Sequence, residues 1–272
     1  MHYPETEYEF APRTYKSTKG PVESFAPDWE FTVMDAQIRN SGKLNEDLRD
    51  LVLRKEKEIV DEYEAGSDGN TDLDDDHLTK RFEYFNVFYW DHPATETLFY
   101  FFKQAYEQML QAHNLALPMP VQIQCWANVL REGEDISEHN HANGPGSAFL
   151  SGNYCVTADS DTATVYNPHG YETDRVPVEN RPGRLTVFPS WIPHHTTDFE
   201  RENDERITIA FDLSIGTERM AAFNEEGERT RQFIPFDHPP GVKERRRQTE
   251  EADEHDTEEV EAEPGAGMGA DD

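Results

Sequence analysis

The stretch SEHNHANGPGSAFLSGNYCV, residues 137–156, contains two histidines one residue apart, His139 and His141, followed by a glycine-rich turn and an apolar run. In a β-strand, side chains two residues apart project from the same face of the sheet. The pair is therefore suited to hold a metal ion, but it also fits a half-exposed position with ordinary hydrogen bonds. The pair by itself leaves both interpretations open.

Short apolar segments surround this pair between residues 120 and 213. They are rich in β-branched and aromatic residues and are separated by clusters of Gly, Pro, Asn and Asp, a pattern typical of an antiparallel sandwich or barrel. The segments are PVQIQCWANVL, SAFLSGNYCV, TATVYNP, GRLTVFPS and RITIAFDLS. The sequence therefore predicts a mainly β fold with flanking helices and a β core at about 120–213.

The rest of the sequence indicates a single domain over residues 31–236, with a further segment at each end. Helical spacing of apolar residues indicates helices at about 43–64 and 93–114, and EFTVMDAQI indicates a strand before them. Residues 1–30 lack a clear period and are interpreted as an extended arm of low order. The acidic segment 237–272 is almost without apolar residues and is predicted to be disordered.

The net charge of −31 over 272 residues restricts the partners of this protein. The chain has eight lysines and seventeen arginines, and it has twelve acidic and four basic residues from position 243 onward. Such a surface suits high salt, which screens self-repulsion, so a halophilic host or its virus is one interpretation and an ordinary acidic protein is the other. The charge argues against a broad contact with nucleic acid.

The compartment predicted from the sequence is the cytoplasm, or the host cytoplasm for a viral protein. The N-terminus has neither the basic nor the apolar region of a secretory signal, and no window has the apolar length of a membrane span. Cys125 and Cys155 both lie in apolar runs and are interpreted as core residues rather than as a disulfide pair.

A second histidine cluster and an unusual arginine follow the first pair. His194 and His195 lie in FPSWIPHHTTDF, residues 188–199, and Arg206 lies inside the apolar strand ERITIAFDL, residues 205–213. An arginine in a strand interior normally meets a carboxylate or another anion. Since Thr208 shares the face of Arg206, the strand offers a guanidinium and a hydroxyl to a carboxylate, while Ile207, Ile209 and Phe211 pack against the helices.

Three segments in order, HNHANGPGSAFLSGNYCV, FPSWIPHHTTDF and ERITIAFDL, give this chain a family resemblance. It resembles the Fe(II)- and 2-oxoglutarate-dependent oxygenases, and more narrowly a group from phages and marine bacteria. That group carries H-x-H, S-G-x-Y-x-V, F-P-S-W-x-x-H and E-R-I-x-x-x-F. The resemblance covers about residues 120–213 and implies a double-stranded β-helix, or jelly roll, with iron at its open end.

The resemblance also implies a set of metal ligands and a chemistry. His139 and His194 would be the imidazole ligands, His141 would stand where the family usually has Asp or Glu, and His195 would point elsewhere. Fe(II), 2-oxoglutarate and O2 would take part in a hydroxylase-type oxidation that releases succinate and CO2. Glu138 and Asp198 lie close enough in sequence to supply an oxygen ligand instead.

By the same resemblance, four further residues bind the co-substrate. Arg206 and Thr208 would bind the distal carboxylate of 2-oxoglutarate, with Tyr154 and Asn128 as additional donors. The implied substrate is a small molecule or a protein side chain, with no membrane partner. The substrate itself and the oligomeric state are not predicted.

Two other classes of protein share the predicted fold. GEDISEHNH fits the G-x5-H-x-H pattern of a metal-binding cupin, although the acidic residue expected a few positions later is missing. A non-enzymatic viral or accessory jelly roll, in which the histidines are incidental, would suit the acidic tail and the aromatic arm. The missing acidic residue, together with Arg206, favours the oxygenase over the cupin.

Overall fold

The computed structural model describes residues 3–18, 27–62, 85–116, 119–142, 148–158, 162–168, 174–197, 205–216 and 232–240. Within these ranges the chain forms two α-helices, a single 3-10 turn and ten β-strands. The helices are α1 Gly42–Glu62 and α2 Pro93–Ala112, and the 3-10 turn is Val87–Tyr89. The strands are β1 Glu7–Lys16, β2 Glu30–Arg39, β3 Val121–Leu130, β4 Leu150–Thr157, β5 Ala163–Tyr166, β6 Val176–Glu179, β7 Arg184–Pro189, β8 His194–Thr196, β9 Arg206–Ile215 and β10 Ile234–Pro235.

The strands form two antiparallel sheets with the winding of a double-stranded β-helix. The large sheet has the order β1-β2-β7-β4-β9-β3-β10, and the small sheet has the order β6-β5-β8. A backbone bridge between His139 and His194 adds the segment after β3 to the small sheet. From β3 onward, the chain therefore passes repeatedly between the two sheets, as in a jelly roll. The predicted fold class is confirmed.

One face of the large sheet packs against both helices. Along β9, Ile207, Ile209, Phe211 and Leu213 are buried in this layer, where the ring of Phe211 lies 4.6 Å from that of Phe102 on α2. The alternation of side chains along a strand places Arg206, Thr208 and Asp212 on the opposite face. The predicted division of this strand into an apolar and a polar face is confirmed.

The glycine of the S-G-x-Y segment allows β4 and β9 to approach closely. Gly152 pairs with Phe211 in the register of these two strands. A Cβ atom at position 152 would lie 2.4 Å from two ring carbons of Phe211, well inside van der Waals contact. Any larger residue would therefore displace this ring from the helix-facing core.

The prediction of low order for residues 1–30 is wrong for Glu7–Lys16. These residues form β1, which pairs with β2 over its full length at the edge of the large sheet. The rings of Tyr8 and Phe10 lie 4.9 and 5.9 Å from Phe101 on α2. Pro12 and the flanking charges concealed this strand, because edge strands tolerate both.

The other predicted boundaries agree with the elements observed. The predicted strand at EFTVMDAQI is β2, and the two predicted helices begin and end within two residues of α1 and α2. The chain divides into two compact units, Met1–Asp237 and His238–Asp272. Most of the acidic tail predicted to be disordered lies outside the described residues. No described helix is long and apolar enough to cross a membrane.

Candidate metal centre

Backbone hydrogen bonds bring the three predicted metal-binding histidines together. The amide of His139 donates to the carbonyl oxygen of His194 at 3.0 Å, and the amide of His194 donates back at 2.9 Å. The amide of His141 donates to the carbonyl oxygen of Ser190 at 3.0 Å. The segment after β3 is thus held against the turn that precedes β8, so the two sequence clusters of histidines become one.

The three imidazole rings form a compact cluster. The ring centroids of His139 and His194 are 4.5 Å apart, those of His139 and His141 are 5.0 Å apart, and those of His141 and His194 are 5.2 Å apart. One ring nitrogen from each residue lies within 4.8 Å of the other two. His194 is buried, whereas the other two rings are partly open to solvent.

Hydrogen bonds at Nδ1 set the same tautomer in all three rings. Nδ1 of His139 lies 2.8 Å from the carbonyl oxygen of Ser137, and Nδ1 of His194 lies 3.0 Å from that of Ile192. Nδ1 of His141 lies 3.0 Å from a carboxylate oxygen of Asp212. Because these oxygens only accept, each Nδ1 carries the proton and each neutral ring keeps its lone pair on Nε2. This donor set fits a divalent metal ion such as Fe(II).

Burial favours the neutral, ligating form of His194. It lowers the pKa of the imidazole well below its ordinary value, and the neighbouring His139 and His141 lower the pKa further. Since a metal binds the unprotonated imidazole, the environment of His194 prepares it for coordination.

Glu138, one of the two carboxylates considered from the sequence, does not belong to the cluster. Oε2 of Glu138 accepts a hydrogen bond from Nδ2 of Asn167 at 2.7 Å and lies 3.8 Å from Nδ1 of His195. Asp198 lies outside the described residues. In the part of the chain that the structure describes, the cluster is made of three histidines, and His195 is not among them.

Arg206 is buried at the start of β9, with only 1% of its surface exposed. Its Nη1 donates to the carbonyl oxygen of Thr197 at 3.3 Å, and the Asn180 amide fits its surroundings when its oxygen accepts from Nη2 at 2.6 Å. Nε has no hydrogen-bond partner. Burial lowers the pKa of this guanidinium to about 10, and no carboxylate among the described residues pairs with it. A charge buried in this way is a receptor for an anion.

Thr208 and Asn128 lie on the same face of the large sheet as Arg206. This face is turned away from the helices, toward the interior of the jelly roll. Nδ2 of Asn128 donates to Oγ1 of Thr208 at 3.1 Å, which directs the Thr208 hydroxyl proton away from Asn128. Oδ1 of Asn128 is buried without a partner. These two residues therefore add one hydroxyl donor and one orienting amide beside the guanidinium.

Tyr154 does not face the histidines, so its prediction as a donor to the co-substrate is wrong. Tyr154 pairs with Ile209 in the strand register and shares the helix-facing side of the sheet. Its hydroxyl donates to Oδ1 of Asn45 on α1 at 2.6 Å, and its ring packs near Phe101 and Phe102. Cys155, one residue later, points to the interior and pairs with Thr208.

Asp212 is a buried residue beside the cluster that was not predicted from the sequence. It is buried, contacts His141 and lies six residues after Arg206 on β9. The sequence contains a signal for Asp212, because Arg206, Thr208 and Asp212 all fall on one face of a strand with a period of two. The contact with His141 depends on the return of the chain and has no local sequence signature.

Comparisons with known proteins agree with this chemistry. Residues 124–212 match a protein family described as "Putative 2OG-Fe(II) oxygenase". The matched segment is about a third of the chain and includes the three histidines, Arg206 and Asp212. For this segment, the match supports the predicted class of 2OG-Fe(II) oxygenase domain. No curated protein matches the chain.

Several solved structures are similar in fold. An oxidoreductase of the 2OG-Fe(II) oxygenase family from Burkholderia pseudomallei is 18% identical with a TM-score of 0.36, over 45% of this chain and 58% of that one. A prolyl-4-hydroxylase from Pseudomonas putida is 15% identical with a TM-score of 0.44, over 65% and 83%. AviO1 from Streptomyces viridochromogenes Tue57 is 14% identical with a TM-score of 0.45, over 70% and 92%. At these identities and scores, neither the activity nor the substrate of those proteins transfers to this chain.

Proposed function

We propose that this protein is an Fe(II)- and 2-oxoglutarate-dependent dioxygenase that oxidises a C–H bond of its substrate and releases succinate and CO2. The observation that carries the proposal is the buried guanidinium of Arg206, which has no acidic partner among the described residues, on the same interior as three histidines of fixed tautomer. In this proposal, the three histidines at one end of the interior bind a metal, and Arg206 at the other end binds a carboxylate.

The connection between these two ends supports a keto diacid as co-substrate. The guanidinium of Arg206 contacts the carbonyl of Thr197, which follows His194 by three residues. A co-substrate whose keto acid end binds the metal would extend its distal carboxylate toward the guanidinium. Thr208 would donate its hydroxyl proton to the same carboxylate, because its Oγ1 already accepts a hydrogen bond from the Asn128 amide.

His139, His141 and His194 would hold the metal through Nε2. When bound, iron supplies the redox chemistry that couples O2 activation to the oxidative decarboxylation of 2-oxoglutarate. The role of the protein is to hold the three rings in one tautomer and to align the co-substrate through Arg206. In this proposal His141 takes the position of the carboxylate ligand that the family usually has.

The two other classes of protein account for fewer of these features. A metal-binding cupin would use the histidines but has no need for an unpaired buried guanidinium. An accessory protein with incidental histidines would need neither the guanidinium nor three Nδ1 atoms that all face acceptors. Both features have a purpose in an oxygenase, so we retain that class.

Motifs, charge and cysteines also bear on the narrower family group, the partners and the compartment of this protein. We assign the chain to the narrower phage and marine bacterial group on its H-x-H and F-P-S-W-x-x-H motifs. The substrate is a small molecule or a protein side chain, because the charge of −31 opposes a broad contact with phosphates. The two cysteines are buried free thiols, which agrees with a reducing cytoplasm.

The test is an anaerobic titration of the metal-free protein with Fe(II) and then with 2-oxoglutarate. We expect one equivalent of Fe(II) to bind, followed by the weak visible charge-transfer band of a metal-bound keto acid. Stoichiometric metal binding without that band would favour a cupin-type protein. Failure of both steps would contradict the enzyme assignment altogether.

A further inference from the structure

We infer that Asp212 completes the metal centre without touching the metal: its carboxylate positions His141 and supplies, through that ring, the negative charge that a ligating carboxylate would provide. The inference rests on the proposed metal site. Asp212 is a positioning residue, since it acts on the metal through an imidazole.

A hydrogen-bond network holds the Asp212 carboxylate in place. Its Oδ2 lies 3.0 Å from Nδ1 of His141, and its Oδ1 accepts from Oγ of Ser151 at 2.6 Å. Oγ of Ser151 lies 2.8 Å from Oγ of Ser190, whose carbonyl oxygen accepts from the His141 amide. The network therefore fixes both the backbone and the ring of His141, and only 1% of Asp212 is exposed.

The partner of His141 differs in charge from those of the other two ligands. Nδ1 of His139 and of His194 each faces a neutral backbone carbonyl. Nδ1 of His141 alone among the three faces a carboxylate. The ring that stands where a carboxylate ligand is expected is thus the ring with a carboxylate behind it.

A carboxylate bonded to the distal nitrogen of a ligating imidazole makes the ligand more basic and fixes its orientation. Three neutral imidazoles leave a divalent metal with its full charge of +2, whereas a buried carboxylate one ring away compensates part of it. The low polarity of the interior strengthens this effect over its value in water. We therefore expect Asp212 to favour metal binding and to favour Fe(III) over Fe(II), as a ligating carboxylate would.

The first experiment compares the wild type with Asp212→Asn, which keeps the size of the side chain and removes its charge. Anaerobic calorimetry of the metal-free protein should give a 10–100-fold weaker affinity for Fe(II), as about that much is typical for loss of such a partner. The Fe(III)/Fe(II) reduction potential should become more positive. Asp212→Glu, which retains the charge, should recover part of both changes.

A matched control removes a different buried carboxylate. Asp174 accepts a hydrogen bond from Nε1 of Trp29 at 2.9 Å and is not part of the histidine cluster. Asp174→Asn should leave the metal affinity and the potential unchanged. The inference is overturned if Asp212→Asn also leaves the Fe(II) affinity and the reduction potential at their wild-type values while His141→Ala loses the metal.

Asp212→Glu keeps the inference testable if Asp212→Asn fails to fold, and the His141→Asp background tests it a second time. His141→Asp provides a carboxylate ligand directly, so Asp212→Asn in that background should weaken Fe(II) binding less than threefold. If Fe(II) affinity in the His141→Asp background falls as much as predicted for Asp212→Asn alone, Asp212 has only a structural role. These measurements need neither 2-oxoglutarate nor turnover, so they remain decisive if the keto acid band is absent and the oxygenase proposal fails.

Discussion

Nη1 of Arg206 lies 3.3 Å from the carbonyl oxygen of Thr197, three residues after the buried His194 of the histidine cluster. This contact ties the arginine to the residue that follows the strand of His194. Nε of Arg206 has no hydrogen-bond partner. The proposed metal-binding and carboxylate-binding groups are therefore connected through a short stretch of backbone.

We expect Arg206→Ala to weaken 2-oxoglutarate binding while leaving Fe(II) binding nearly unchanged. Loss of a buried charge-assisted pair costs about 2–5 kcal/mol, which is at least roughly 30-fold in Kd. The measurement is the anaerobic charge-transfer titration at fixed Fe(II). Arg206→Lys should recover only part of the affinity, since an ammonium cannot bind a carboxylate in the bidentate geometry.

A second buried arginine provides the control for this prediction. Arg184 already makes two hydrogen bonds of 2.8 Å with the carboxylate of Asp35. Arg184→Lys should therefore lower the stability of the protein without changing its affinity for 2-oxoglutarate. Wild-type binding of 2-oxoglutarate by Arg206→Ala would show that the carboxylate binds elsewhere.

The histidine cluster predicts different results for adjacent residues. His141→Ala should lose most of the Fe(II) affinity, whereas His141→Asp should keep the metal and still form succinate. His195→Ala should bind Fe(II) as the wild type does, because His195 lies beside Glu138 and outside the cluster. Fe(II) calorimetry and a succinate assay measure these effects. Equal loss in His195→Ala and His141→Ala would contradict the ligand assignment.

The sequence predicted the fold class because strand patterning and turn residues are local signals. The alternation in ERITIAFDL correctly separated the helix-facing Ile207 and Phe211 from the interior Arg206 and Thr208. The H-x-H pair and the later histidine were predicted to meet, and the backbone bridge between His139 and His194 brings them together.

The errors arose where a local pattern was ambiguous or where the deciding contact was distant. Tyr154 was placed on the wrong face, because β4 is largely buried on both sides and its register with β9 is needed to decide. β1 was missed because Pro12 and the charges suggested low order. Asp212 was missed because its partner is 71 residues away in the chain.

The position of Tyr154 predicts a role in stability alone. Tyr154→Phe removes the buried 2.6 Å hydrogen bond to Asn45 and should lower the free energy of unfolding by about 1–2 kcal/mol. Urea unfolding measures this loss, and the Kd for 2-oxoglutarate should remain within twofold of the wild type. Asn45→Ala combined with Tyr154→Phe should cost less than the sum of the two changes. A clear loss of 2-oxoglutarate affinity in Tyr154→Phe would show that Tyr154 contributes to co-substrate binding after all.

The hydroxyl of Thr208 should contribute directly to co-substrate affinity. Thr208→Val keeps the shape of the side chain but removes a donor to a carboxylate, an interaction worth about 1.5–3 kcal/mol. We therefore expect the Kd for 2-oxoglutarate to rise at least roughly tenfold, with Fe(II) affinity unchanged. Thr208→Ser retains the hydroxyl and should bind nearly as well as the wild type. If Thr208→Val and Thr208→Ser bind equally well, the hydroxyl does not contact the co-substrate.

The net charge of −31 predicts that salt stabilises the folded protein. Repulsion among exposed acidic groups extends over about 10 Å at 0.1 M salt but only about 3 Å at 1 M. The thermal unfolding midpoint should therefore be higher in molar KCl than at low salt, although surface ion pairs such as Lys16–Glu30 are weakened at the same time. A chain ending at residue 242 lacks the twelve acidic and four basic residues that follow, and it should keep most of this dependence because the body remains strongly acidic. Equal midpoints at low and molar KCl would exclude adaptation to high salt as the reason for the acidic surface.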